Sequence, residues 1–224
     1  MIKLNLGSGF NGLNDWLNYD NSIVAAFSRW PSIIRLLIQF GFLPSGYKDI
    51  KWPPIIVRDC RKGIPHENGS VDFIYTSHFL EHLYRHEVVD MLKECYRVLK
   101  PGGTLRIALP DVDKLIALYA KHDPSAFPYT TSIENPKPNH TDMFMAFFYT
   151  SEFNRNSNRS FIGRIQELFL RHHQWMYNVE SIRLLLEYSG FNRIEQKNFQ
   201  ECNLADVRQL DCSPEISFYV EAYK

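Results

Sequence analysis

The chain has 224 residues, with 25 basic and 25 acidic side chains and a formal net charge of zero at pH 7. That length suits one α/β domain with insertions and a substantial core, and the balanced charge argues against a nucleic-acid binder working through a broad basic face. Cys60, Cys95, Cys202 and Cys212 are scattered without Cys-x-x-Cys or metal-ligand spacing, which fits free thiols in a reducing cytoplasm.

Leu4 to Leu6 predict a first strand that runs straight into Gly7-Ser8-Gly9. Glycine tolerates positive φ and lets a ligand approach the main chain. Open α/β sheets bind ligands outside the carboxyl ends of their strands, so this turn is a candidate cofactor floor. About one helical turn fits before Trp16 to Asp20, a short second strand ending in a carboxylate. Asp20 then lies at the same sheet edge, where it can accept two hydrogen bonds from a ribose diol.

Ile23 to Trp30 and Ser32 to Phe40 predict two short apolar helices separated at Pro31 and closed by Gly41. Arg29, Pro31, Arg35 and Gln39 interrupt this window too often for a membrane span. Core or lid packing is expected, with peripheral membrane or partner contact through 23–40 as the other use of an apolar surface. Ile55 to Val57 form a third strand followed by Asp59 and Cys60. Val71 to Thr76 form a fourth, followed by Ser77 to Leu83.

Val88, Val89, Leu92, Cys95, Tyr96 and Leu99 keep helical spacing from His86 to Leu99, and Pro101-Gly102-Gly103 is expected to stop that helix before a fifth strand, Leu105 to Leu109. Asp111 can cap the next helix. Residues 122–172 break the rhythm with Pro124, Pro128, Pro136 and Pro138, then Phe144, Phe147, Phe148, Tyr149, Phe153, Phe161 and Phe169. A long insertion of this kind tends to be a lid or binding loop. Asn178 can cap a last helix, and Phe191 to Lys197 and Ile216 to Tyr223 predict two closing strands. The alternation predicts an α/β, doubly wound, Rossmann-like and mostly parallel sheet, with a C-terminal antiparallel edge strand and a long insertion after the fifth strand. A single domain over 1–224 is expected, with 22–50 and 122–172 forming the lid and acceptor region.

Several pieces, in order, resemble class I S-adenosylmethionine-dependent methyltransferases of the type 11, small-molecule or glycan kind. They are Leu4 to Gly9, Asp20, Asp59 with Asn68 to Asp72, Phe79 to Leu83, Arg97 to Gly103, and Tyr177 to Phe191. The resemblance implies S-adenosylmethionine as cofactor. It implies contacts from Asn5, Leu6, Gly7, Ser8 and Gly9 at the glycine turn, from Asp20 at the ribose, and from Asp59 and Cys60 near the adenine. Ser77, His78 and Glu81 after the fourth strand complete that set. The chain departs from the pattern in having Asn11 where a third glycine is usual, and in the near absence of a first helix. A glycan or lipid-linked acceptor is implied only by similarity to compact proteins of cell-surface polysaccharide pathways.

Methyl transfer is an in-line displacement for which positioning contributes ~7–11 kcal/mol. A hydroxyl acceptor must also lose its proton, and a positioned base adds ~10²–10⁴ in rate. The candidate bases are His78, His82, His140, His172 and His173, with His173 first, then His82 and His140. No metal is expected, because the sequence displays no carboxylate–histidine cluster. Two rivals stay open. Gly7 to Gly12 literally fits Gly-x-Gly-x-x-Gly, the fingerprint of nicotinamide oxidoreductases, but the helix that should separate it from the acid is missing. A non-catalytic protein on the same fold, with the aromatic insertion binding a partner, is the other.

Overall fold

The computed structural model describes residues 1–43, 45–122, 127, 139–148 and 172–224. Seven strands form one sheet: β1 (Lys3–Leu6), β2 (Leu17–Asp20), β3 (Ile55–Val57), β4 (Val71–Ser77), β5 (Leu99–Pro110), β6 (Arg193–Lys197) and β7 (Ser217–Tyr223). Their order is β3-β2-β1-β4-β5-β7-β6. The first five strands are parallel, and β7 runs antiparallel to both β5 and β6.

The antiparallel C-terminal strand predicted from the sequence is present, inserted between β5 and β6 so that β6 takes the edge. Burial explains the choice. Every residue of β7 except the last is buried, whereas β6, with Arg193, Glu195 and Lys197, stays partly in solvent. The chain reverses its winding between β1 and β4, which makes the carboxyl ends of those two strands the switch point where open sheets take ligands.

Helix α3 (Arg85–Val98) buries Val88, Met91, Leu92, Cys95 and Val98 against the sheet, beside the helix Val179–Tyr188. Asn178 caps the latter, as expected, by accepting the Ser181 N–H. Pro101-Gly102-Gly103 plays a different part from the one expected. The helix ends at Val98 because Leu99 is already extended, and the Pro-Gly-Gly run lies inside β5. There it accompanies a register shift against β4, with Gly102 at φ +78° donating to the Lys224 carbonyl.

The 22–50 segment forms α1 (Ile23–Phe27), capped by Ser22, and α2 (Pro31–Gln39), with Pro31 in its first turn. These helices bury Val24, Ile34 and Leu43 in a small core of their own, with Tyr47 and Trp52 packed on it. Phe10, just past the glycine turn, meets Trp52 edge-on, which ties the turn to this segment. Trp30, Leu36 and Phe40 remain exposed.

Helix α4 (Val112–Ala120) is capped by Asp111, and α5 (His140–Phe148) packs on it through Leu115, Phe127 and Phe147. Helix α6 is the segment Val179–Tyr188, and α7 is Val207–Leu210. The expectations placed on Pro124, Pro128, Pro136, Pro138, Tyr149, Phe153, Phe161 and Phe169 lie outside the described residues. Among the described residues no helix is long and apolar enough to cross a membrane.

Candidate active site

The glycine turn sits at the carboxyl end of β1, as its sequence demands. Gly7 and Gly9 take φ of +68° and +50°, a region that favours glycine. The N–H groups of Gly7 and Ser8 both donate to the Tyr19 carbonyl in β2, at 2.9 and 3.1 Å. A Cβ on Gly7 would lie 2.3 Å from Cγ of Phe79, so the ring that follows β4 closes directly on this glycine. Asn5 and Leu6 are buried within the sheet. Asn5 Nδ2 donates to the Asn11 carbonyl and braces the turn from below.

Asp20 ends β2 beside the turn. Its Oδ2 accepts the Gly9 N–H at 2.8 Å and its Oδ1 accepts the Ser22 N–H at 2.6 Å. The carboxylate therefore shapes the turn, and each oxygen keeps a further lone pair for a ligand hydroxyl. A concavity at this edge is lined by Gly7, Tyr19, Asp20, Asp59, Cys60 and Phe79. Asp59 is present there, but its carboxylate is held by Arg61 at 2.8 and 2.9 Å, and this pairing holds its pKa below the usual carboxylate range. Burial pushes the Cys60 thiol up to about 12, so Cys60 is an apolar wall at neutral pH.

Past β4 the chain makes a tight turn. Ser77 Oγ lies 3.6 Å from Cys212 Sγ. His78 takes φ +47°, with Nε2 3.0 Å from Ser217 Oγ and Nδ1 3.5 Å from Glu81 Oε1. Burial opposes a charge on His78, yet the Cys212 thiol and the Glu81 carboxylate outweigh it and hold its pKa up at about 10.

Glu81 follows on a 3-10 turn, Leu80–His82, and is 1 % exposed. Neither carboxylate oxygen has a hydrogen-bond partner among the described residues. Glu81, His82 and His173 each offer one ligand-capable atom, and these atoms all lie within 4.8 Å of one another. The strap 172–175 brings them together. Gln174 and Trp175 donate their N–H groups to the Glu81 carbonyl, at 2.7 and 3.2 Å. The sequence reading found no carboxylate–histidine cluster. The fold makes one, because His173 is remote from Glu81 and His82 in the chain.

Each histidine of the cluster has one nitrogen committed to a main-chain carbonyl. Nδ1 of His82 lies 3.2 Å from the His172 carbonyl, and Nδ1 of His173 lies 2.8 Å from the Phe147 carbonyl. A carbonyl only accepts, so each Nδ1 carries a proton, and in the neutral imidazole the lone pair then sits on Nε2. Burial keeps the His173 imidazole below its ordinary pKa, against the pull of Glu81. Burial opposes a charge on Glu81 too, but the His78 imidazolium beside it outweighs burial and holds its pKa below the usual carboxylate range.

His172 contributes its carbonyl to the strap rather than its ring. His140 stands apart from the cluster. It stacks on Tyr119, with ring centroids 4.9 Å apart, and its Nε2 is bound to the Tyr119 carbonyl at 2.8 Å. Phe79 and Tyr19 complete the floor without having been singled out as ligands from the sequence. Their sequence signals are the place of Tyr19 in the second strand and of Phe79 at the head of the Phe79 to Leu83 segment.

Residues 4–107, the stretch from β1 into β5, match the family model described as a methyltransferase domain. That stretch, just under half of the chain, is similar to a methyltransferase domain. Its solved neighbours share the architecture at low identity. PigF with SAH is 14 % identical and has a TM-score of 0.50; the match covers 100 % of this chain and 50 % of that one. An S-adenosylmethionine-dependent methyltransferase from Archaeoglobus fulgidus is 16 % identical over 99 % of this chain and 85 % of its own, with a TM-score of 0.49. Another from Aquifex aeolicus is 14 % identical over 99 % and 81 %, with a TM-score of 0.45. No curated protein matches.

One feature of this edge fits the cofactor: Asp20 keeps lone pairs for a ribose hydroxyl at the switch point. Asp20→Ala should weaken S-adenosylhomocysteine binding tenfold or more by calorimetry. An unchanged affinity would remove Asp20 from the ribose site.

Proposed function

We propose that this methyltransferase transfers a methyl group from S-adenosylmethionine to an oxygen of a small-molecule or glycan-type acceptor. The observation that carries the reading is the cluster of buried Glu81 with half-buried His82 and His173, set on the turn that follows β4, two residues past the Phe79 ring that closes on Gly7. The cofactor supplies an electrophilic methyl on a sulfonium. An acceptor oxygen held at the cluster gives up its proton there, its lone pair forms the O–C bond, and the C–S bond breaks to leave a neutral thioether. The chain's own work is positional. Asp20 and the glycine turn fix the ribose side, and Cys60, Phe79 and Tyr19 form the walls. The strap 172–175 sets the histidine lone pairs, and the aromatic packing of α4 and α5 excludes water behind them.

His173→Ala should lower kcat on the acceptor by about 10²–10⁴, the usual contribution of a group that helps remove a proton, with cofactor affinity preserved. The assay follows S-adenosylhomocysteine release across a panel of hydroxylated small molecules and glycans. Wild-type kcat in the variant would exclude His173 from the chemistry.

A further inference from the structure

We propose that Glu81, His82 and His173 hold a divalent transition-metal cation of the zinc and cobalt class, and that this cation binds the acceptor oxygen. The inference deepens the proposed acceptor site and rests on it for the cation's role, though not for its binding. Three observations converge. The Glu81 carboxylate is buried and both its oxygens lack hydrogen-bond partners among the described residues. Its charged neighbour among the described residues, His78 Nδ1, approaches Oε1 only to 3.5 Å, so the carboxylate keeps lone pairs for a cation. In their neutral form the two imidazoles beside it carry the lone pair on Nε2, because Nδ1 of each donates to a carbonyl, of His172 and of Phe147. That outer hydrogen bond is the device that fixes the tautomer and aim of metal-bound histidines. Finally, the three ligand atoms already share one space, within 4.8 Å of one another.

Bonds of ~2.0–2.1 Å put ligands roughly 3.4 Å apart around a tetrahedral ion, so modest side-chain rotation closes the set. Two nitrogens and one carboxylate favour a transition cation over magnesium or calcium, which prefer all-oxygen shells. Three protein ligands leave a position open, which marks a catalytic centre rather than a structural one. A cation held there would let a bound acceptor hydroxyl ionise more readily, its proton leaving to solvent, and His173 would then act as a ligand in place of the proton acceptor of the metal-free reaction. Cys60, Cys95, Cys202 and Cys212 are not in the cluster, so the centre does not depend on thiols.

The test is a Co²⁺ titration of the chelator-stripped full chain, followed by visible absorption and then by Zn²⁺ displacement. One equivalent should bind with micromolar or tighter affinity. Glu81→Gln and His173→Ala should each weaken it at least tenfold, while His86→Ala, at an exposed position, should bind as wild type. His82→Asn serves as the second variant if Glu81→Gln fails to fold. Absence of a stoichiometric spectrum, or unchanged binding in folded cluster variants, overturns the metal site. S-adenosylhomocysteine affinity is measured on the same samples. Its loss would count against the methyltransferase reading, whereas its persistence without cobalt binding would overturn only the cation.

Discussion

Replacing Gly7 by alanine is expected to abolish cofactor binding and to lower stability by about 2–6 kcal/mol. The backbone there has φ +68°, and forcing a side chain into that region costs on the order of 1–3 kcal/mol. The new Cβ would also lie 2.3 Å from Cγ and 2.6 Å from Cβ of Phe79. A clash with the near end of a side chain is not relieved by a rotamer change. The main chain of β1 or of the turn after β4 has to move, at a further ~1–3 kcal/mol. Gly9 provides the internal comparison. It has φ +50° but open space around its would-be Cβ, so Gly9→Ala should cost only the backbone strain. Urea unfolding and calorimetry with S-adenosylhomocysteine check both variants, and equal effects at the two positions would refute the steric account.

Arg106→Leu is expected to cost about 3–5 kcal/mol, the penalty for leaving buried charge without its partner. Arg106 lies in β5, fully buried. Its guanidinium bonds both Asp211 oxygens at 3.1 and 2.5 Å, Glu221 at 3.1 Å, and the carbonyls of Glu201 and Asn198. All five donors are thus used, and they pin the stretch 198–211 to the sheet. Asn11 in the glycine turn donates to the Leu210 carbonyl, so loosening this stretch also loosens the cofactor floor. The variant should unfold at lower urea and bind S-adenosylhomocysteine more weakly. Pairing Arg106→Met with Asp211→Leu and Glu221→Leu should recover much of the stability, because no unpaired charge then remains. Failure of that triple change to recover anything would mean that the network contributes more than charge pairing.

The sheet and the cofactor edge were legible in the sequence because their signals are local. A strand into Gly7-Ser8-Gly9, a second strand ending in Asp20, and helical spacing from Val88 to Cys95 each need only neighbouring residues. Non-local decisions were not legible. The place of β7 between β5 and β6 depends on which strand has more apolar surface to bury on two faces. The Pro-Gly-Gly run reads as a helix stop, but its φ and its bond to Lys224 build it into β5. Asp59 reads as a free acid past a strand, whereas Arg61 two residues on claims its oxygens.

The histidines show the same division. His82 and His173 were recognisable as candidates one at a time. Their union around Glu81 requires the strap that Gln174 and Trp175 tie to the Glu81 carbonyl. Glu81 was marked from the sequence only as a cofactor contact, and its burial beside the two histidines is what the fold adds. His140 has the same residue type but spends its ring on Tyr119.

Calorimetric titration of the purified chain with S-adenosylmethionine and S-adenosylhomocysteine tests the central claim most directly. The account predicts one site of micromolar affinity for each, with either ligand displacing the other. Absence of binding to both, from protein shown to be folded, would contradict it.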